Sequence, residues 1–275
     1  VEKKAYKRGI VINNMVTKII EIERPKLKDP LFIQGLPGIG HVGRIAAGYL
    51  AEEIKAKKFA ELISSHFMPF VLLHENSETH LLKYEFFYWK AKEKEQRDLI
   101  IMVGDMQSAD PEGHYEITEE VLKYLKELGV KEAITLGGLN VGEIVESPKV
   151  IGATNDEKLI EKYKDYGIEF VAGIRAGTII GAAGLLLGLG KYYGIKGICL
   201  LGETAGIPII PDHKGAEAVL NVLLKILNLK IDLTKLKKRV KEMENFVKRL
   251  EEIQKRALLQ IVAPKAEEEK LTYIG

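Results

Sequence analysis

The chain has 275 residues, 46% of them hydrophobic and 29% charged, with a net charge of +2. That composition describes a globular chain of one large or two modest domains with ample core material, and it excludes a mostly disordered one. Both signs of charge are mixed throughout and no basic block carries interleaved aromatics, so nucleic acid is not an expected partner. The single cysteine, Cys199, sits inside the apolar run GICLLG. It reads as a core residue, leaves no disulfide within the chain and fits a reducing cytoplasm. The N-terminal VEKKAYKRG is charged and lacks the apolar stretch of a secretion signal. The most apolar segment, TIIGAAGLLLGLG from Thr178 to Gly190, is shorter than the roughly 20 residues a bilayer span requires. The reading is therefore cytoplasmic, with no membrane contact. Abundant lysine, glutamate and isoleucine with scarce glutamine is a bias of heat-adapted proteins.

In chain order, β-rich runs alternate with helical ones. This rhythm predicts an α/β fold, a mainly parallel sheet flanked by helices. Strands are predicted at Lys18 to Ile22 and Leu31 to Gln34, followed by a helix over Val42 to Lys55 and a strand at Leu62 to His66. Between Pro69 and Lys92, two β-patterned segments around Glu75-Asn76-Ser77-Glu78 predict an added antiparallel hairpin, a good contact surface. Next come a strand at Leu99 to Val103, a helix at Ile117 to Leu128, a strand at Ala133 to Leu136, and a helix at Asp156 to Tyr166 with Asp156 as N-cap. A strand at Phe170 to Ala172 precedes a buried helix from Gly177 to Tyr193, whose glycines let neighbours pack closely. A strand at Gly197 to Leu201 and a helix at Lys214 to Leu227 complete the core. Several of these strands are apolar without alternation, as strands covered on both faces are.

From Thr234 the pattern changes. Leu236, Val240, Met243, Val247, Leu250, Ala257 and Ile261 recur at alternating spacings of four and three, with Gln254 in the one gap. This heptad seam, flanked by lysine, arginine and glutamate, predicts self-association through a helix; a solvated helix packing back on its own domain carries a similar stripe. Pro264 stops the helix, and KAEEEK is too polar to order itself. The expected organisation is an α/β core over 1–229, a C-terminal helical segment over 230–263 and a flexible tail over 264–275. That tail ends in Leu271-Thr272-Tyr273-Ile274-Gly275, apolar and aromatic groups suited to a docking peptide.

The most distinctive motif is GLPGIGHVG, Gly35 to Gly43, between a strand and an alanine-rich helix. Gly38, Gly40 and Gly43 satisfy the dinucleotide fingerprint literally. The acidic residue that should end the next strand is missing, since that strand ends Ser64-Ser65-His66 with Glu61 at its beginning, and no Gly-Lys-Ser/Thr makes a phosphate loop. A tight turn with close helix packing accounts for the glycines. Asp105 and Gln107, in GDMQ after the strand RDLIIMV, sit where an open parallel sheet places its ligand crevice, near Asp110 and His114. They are candidates to bind a hydroxyl or a metal; equally, they cap the turn and tie it to the glycine loop. Gly137-Gly138-Leu139-Asn140 and Glu203-Thr204 belong to the same sheet edge. The six histidines are scattered, no nucleophile meets a base, and no catalytic set, metal site or cofactor site can be assembled. Asp212-His213 beside Pro211 reads as a turn feeding the last core helix.

Taken in order, GLPGIGHVG, GDMQ, LGGL followed by GATN, GTIIGAAGLLL, and LLGET followed by Pro211-Asp212 resemble the archaeal proteasome-assembly-chaperone family. The resemblance runs from about residue 15 to 228. It implies an α/β core similar to purine nucleoside phosphorylases without their activity, homo-oligomeric assembly, and binding to the α-subunits of the proteasome core particle. Members of the group engage pockets between α-subunits through a C-terminal hydrophobic-tyrosine-any motif. Here Tyr273 stands one place further from the terminus than that pattern, preceded by Thr272 and followed by Ile274 and Gly275. The resulting expectation is a non-enzymatic chaperone or activator. The competing one is a nucleoside- or phosphate-handling enzyme using the Gly35–Gly43 loop and Asp105, and the absence of lysine or arginine in that loop before Arg44 speaks against it.

Overall fold

The computed structural model describes residues 16–170, 177–206, 210–243 and 245. Its frame is a nine-stranded sheet ordered β1-β3-β6-β7-β2-β8-β11-β9-β10. The strands are β1 (Thr17–Glu21), β2 (Leu31–Gly35), β3 (Lys57–Ser64), β6 (Tyr84–Trp89), β7 (Leu99–Gly104), β8 (Glu132–Asn140), β9 (Val150–Thr154), β10 (Ile168–Phe170) and β11 (Lys196–Thr204). At the centre β7, β2, β8 and β11 run parallel, which bears out the predicted α/β class. The wings add antiparallel pairings: β1 with β3, β3 with β6, β6 with β7, and β9 with β11.

The centre is buried because helices cover both faces. On one side lie α1 (Val42–Glu53), α3 (Lys158–Tyr163) and α5 (His213–Leu227), which pack Val42, Leu50, Leu220 and Leu223 against Ile33, Ile101, Ile134 and Ile198. On the other lie α2 (Pro111–Glu127) and α4 (Ala182–Gly190), which pack Val121, Leu125 and Leu186 against Phe32, Ile100 and Met102. Every residue of β2 and β7 is consequently buried, the pattern the unbroken apolar runs foreshadow. Two of the helices, α2 and α5, have side-chain caps. Asp110 caps α2 by accepting from Gly113 N–H at 2.7 Å, with Pro111 filling the first turn. Asp212 caps α5 through Lys214 and Gly215 N–H, as the turn reading of Asp212-His213 expects. Asp156 Oδ1 accepts from Lys158 N–H at 3.0 Å, at the start of α3. Cys199 is fully buried, and burial pushes its thiol up to about 11.

Several boundaries differ from expectation for physical reasons. The strand predicted at Leu62 to His66 runs instead from Lys57 to Ser64, carried by a bulge between Lys58 and Ala60. The segment between Pro69 and Lys92 does contain a hairpin, β4 (Val71–Leu73) paired with β5 (Thr79–Leu81), but its third run, β6, enters the main sheet between β3 and β7. Residues 177–181 are not helical: Gly181 adopts φ +83, and α4 begins only at Ala182. β9 has no counterpart in the sequence reading. Of the strand expected at Phe170 to Ala172, only Phe170 falls among the described residues, as the end of β10.

Residues 234–243 are helical and lie against the core, not apart from it. Leu236 is fully buried within the same cluster as α1 and α5, and Val240 is buried too. Tyr49 Oη donates to Asp232 O at 2.8 Å, and Lys235 reaches Glu53 at 3.5 Å. The first two seam positions therefore pack on their own subunit and are not free for self-association. Met243 is half-buried, while Val247 and Leu250 lie outside the described residues.

At the α2 cap, His66 stands between two carboxylates, Nδ1 at 2.9 Å from Asp110 and Nε2 at 3.2 Å from Glu116. The hydrogen bond to Asp110, with a smaller one to Glu116, raises the imidazole above its ordinary 6.5 against the opposing effect of burial. A raised value means this contribution is fully present below 6.5 and is lost as pH climbs through the folded-state value. In thermal melts from pH 5 to pH 9, the Tm advantage of the wild type over His66→Gln should be largest at the acid end and shrink toward pH 9.

Candidate functional site

The C-terminal edge of the central strands gathers the polar loops. The turn after β2 leads into α1 on one face and the turn after β7 into α2 on the other, so a crevice opens between them. Here the glycines of GLPGIGHVG show their use. A Cβ at Gly35 would come below 3.0 Å of Gly43 O and Ala47 Cβ, and one at Gly43 equally close to Leu136 O. One at Gly138 would strike Ile39 O. Strand, helix and neighbouring strand thus approach backbone to backbone at Gly35 and Gly43, whereas a Cβ at Gly38 would meet only the Gln107 side chain, at 3.6 Å. Gly40 (φ +60) and His41 (φ +52) supply the left-handed bend, and Gly40 O accepts from Asp212 N–H at 2.7 Å, tying the loop to the start of α5. The start of α1 has no side-chain cap, no acidic residue in its first turn and, at Arg44, a guanidinium turned to Gly104 O at 2.9 Å.

Gln107 binds the two sides of the crevice together. Its Nε2 donates to Pro37 O at 2.6 Å, and its Oε1 accepts from Ala182 N–H at 2.9 Å. The tie to the glycine loop agrees with the turn-capping role that its sequence position suggests; the bond to α4 depends on the turn at Gly181, which no local pattern marks. Asp105 behaves differently. It accepts from Lys83 N–H at 3.1 Å and from His80 at 3.2 Å, its own N–H donates to Lys83 O, and it is not part of the crevice wall. As a ligand residue beside Gly38 and Gly43 it is displaced: it fastens the β4–β5 hairpin to the turn after β7.

That hairpin also overturns the reading of the histidines as scattered. The register placing Leu72 opposite His80 brings His74 Nε2 to 2.5 Å from His80 Nδ1, giving a row Asp105–His80–His74. Nothing in a linear spacing of six residues flags it, because the turn closes the pair. Among the described residues no cluster of three or more His, Cys, Asp or Glu has the geometry to hold a metal ion. Among the same residues no helix is long and apolar enough to cross a membrane.

Between the glycine loop and residues 178–181 lies a cavity of about 500 Å³, which Gln34, Gln107, His114 and Asn140 line together with the glycine backbones of the two loops. Its Gly38 and Gly43 come from the expected loop, while Gln34 is new.

The PAC2 family profile matches residues 32–251, four-fifths of the chain. The chain belongs to the PAC2 family. Within reach of this PAC2 chain are two proteins of Methanocaldococcus jannaschii, one of them 38% identical over 265 residues, covering 96% of this chain and 99% of that one. Among solved structures, Pyrococcus furiosus PbaB, an archaeal proteasome activator, is 48% identical, with a TM-score of 0.82 over 86% of this chain and 99% of that one. Pyrococcus furiosus PbaA, an archaeal homolog of proteasome-assembly chaperone, is 28% identical, with a TM-score of 0.71 over 90% of this chain and 96% of that one. This PAC2 chain therefore shares their whole fold, as the ordered motifs of its sequence led one to expect.

The glycine packing has a measurable consequence. Gly43→Ala pushes a methyl against a strand carbonyl that cannot move aside, and should cost about 3 kcal/mol, lowering Tm by roughly 5–10 °C. Gly188 in α4, with nothing within 4 Å of its added Cβ, is the control. Gly188→Ala should leave Tm unchanged or slightly raised in the same melts.

Proposed function

We propose that this chain is a non-enzymatic, cytoplasmic partner of the proteasome core particle, acting as an activator or assembly chaperone through the α-subunits. The observation that carries the reading is the likeness to PbaB, which is close in sequence and spans nearly all of that chain. The site's own geometry agrees with it. Gly35 and Gly43 are packed against backbone, the Arg44 guanidinium is engaged with Gly104 O, and Asp105 serves a hairpin, so these residues hold the fold.

In this reading the core over 1–229 is a rigid body, and the segment over 230–263 leaves it after a first turn anchored by Leu236 and Val240. Self-association then falls to the later seam, Met243, Val247 and Leu250, and the tail over 264–275 hangs from it. Leu271, Thr272, Tyr273, Ile274 and Gly275 form the docking peptide. Each tail binds weakly, but several on one oligomer raise one another's effective concentration if the tethers span the pocket spacing.

Deleting residues 271–275 should abolish co-sedimentation with the core particle while leaving the oligomer mass and Tm untouched. Retained binding would remove the tail mechanism. Because Val240 is buried in its own subunit, the seam is tested further out: Val247→Lys with Leu250→Lys should lower the mass in light scattering without unfolding the core. An undiminished mass would place self-association on another surface.

A further inference from the structure

The β4–β5 hairpin turns an apolar face to solvent. Alternation along its paired strands puts Val71, Leu73 and Leu81 on one face, and Leu72 and His80 on the other. The second face is committed to the body: Leu72 packs against the core cluster that holds Phe32 and Met102, and His80 reaches Asp105. The first face is bare, with Leu73 72% exposed and Val71 and Leu81 about half exposed. Met68 and Phe70, at the base of the hairpin, add two more half-exposed apolar side chains. Five such groups together on one short hairpin exceed the single, scattered exposure that a surface normally carries, and a patch of this kind calls for a cover.

The chain carries a matching segment close by. Val16 O accepts from Ser65 N–H at 2.7 Å, one rung beyond the β1–β3 ladder, so the chain before Val16 and the chain after Ser65 diverge from a single point. Followed outward from that point, the two show complementary patterns. The hairpin arm runs from Phe70, Val71 and Leu73 to Glu75 and Glu78 at its tip; the N-terminal segment runs from Ile12, Val11 and Ile10 to Arg8, Lys7, Lys4 and Lys3. Apolar residues come first in both, and charges of opposite sign follow. At about 3.3 Å per extended residue, Ile10 lies within roughly 20 Å of Val16, and Val71 within the same reach of Ser65. We propose that the segment before Val16 lies along the outer face of the hairpin, Ile10, Val11 and Ile12 covering Val71, Leu73 and Leu81 while the basic residues reach Glu75 and Glu78. Apolar burial holds it there, and the exposed charge pairs, which add little affinity, fix its direction. Five half-exposed side chains fall short of the roughly 800 Å² per partner that a stable dimer takes, whereas a tethered segment is already at high effective concentration and needs less. The segment is a strap, and lifting it bares an adhesive surface.

Nuclear Overhauser contacts in methyl-labelled full-length protein are the test. In the wild type they should connect the Ile10 or Ile12 methyls to those of Val71, Leu73 or Leu81. The double variant Ile10→Asp, Ile12→Asp should lose these contacts, shift the Leu73 and Leu81 methyl resonances and bind more of the dye ANS. The Ile33 and Ile134 methyls of the buried core should stay in place, which separates release of the segment from unfolding. The proposal is overturned if the wild type lacks every one of these contacts, or if the double variant leaves Leu73 and Leu81 unshifted. It is equally overturned if those two methyls move on dilution together with a fall in mass by light scattering, which would give the face to a second copy, or move only on addition of purified core particle, which would give it to that partner. The wild-type contacts decide the matter even if the double variant is poorly folded.

Discussion

Where α1 leaves β2, Gly43 lies against the carbonyl of Leu136, and Gly35 lies against Gly43. Three backbone segments meet there with no side chain between them, and that contact sets the distance of α1 from the sheet and hence the packing of Val42, Ala46 and Leu50 on Ile33, Ile134 and Leu136. It also sets the site. Because the loop is held against β8 and the start of α5, the crevice opens on the other side, toward α4 and residues 178–181, where Gln107 bridges the gap. The same glycine spacing that marks a dinucleotide loop elsewhere is here a packing device. What stands opposite each missing Cβ shows it: backbone at Gly35 and Gly43, and only the Gln107 side chain at Gly38.

Much of the fold follows from local pattern. The runs at Leu31 to Gly35 and Leu99 to Gly104 are apolar throughout because both faces are covered, and this pattern identifies central parallel strands without further information. Asp212 marks the start of α5 as the turn reading expects, whereas α2 begins at Pro111, capped by Asp110, well ahead of the predicted Ile117. What escapes is whatever depends on distant partners. β6 alternates like one arm of a hairpin, but its partners are β3 and β7, and only the long-range ladder shows it. β9 is five residues with Gly152 at its middle, where Ile168 and Phe170 would meet any Cβ, so the strand looks like a loop. The glycines around 181 read as helix; at φ +83 Gly181 is instead the turn that brings Gln107 and Ala182 together.

The site was legible in the same partial way. Gly38, Gly43 and Gln107 do meet at the sheet edge, as their positions after β2 and β7 require. Asp105 does not join them: its side chain turns to Lys83 N–H and His80 on a hairpin whose register no linear spacing discloses. Gln34 is polar inside an otherwise apolar buried strand, a departure that is visible in the sequence. The heptad seam illustrates a different limit. Its period is real, but period alone does not say whether a stripe faces another copy or its own core, and at Leu236 and Val240 it faces the core.

The functional account joins these observations. The α/β body, with Gly35 and Gly43 serving packing and Leu236 and Val240 of the following helix buried on it, is consistent with the proposed role as a partner of the proteasome core particle. Electron microscopy of the full-length chain mixed with purified archaeal core particle tests this most directly. The account predicts added density over the outer α-ring faces of the core particle at saturating concentration. Bare α-rings at a large excess of the chain would contradict it.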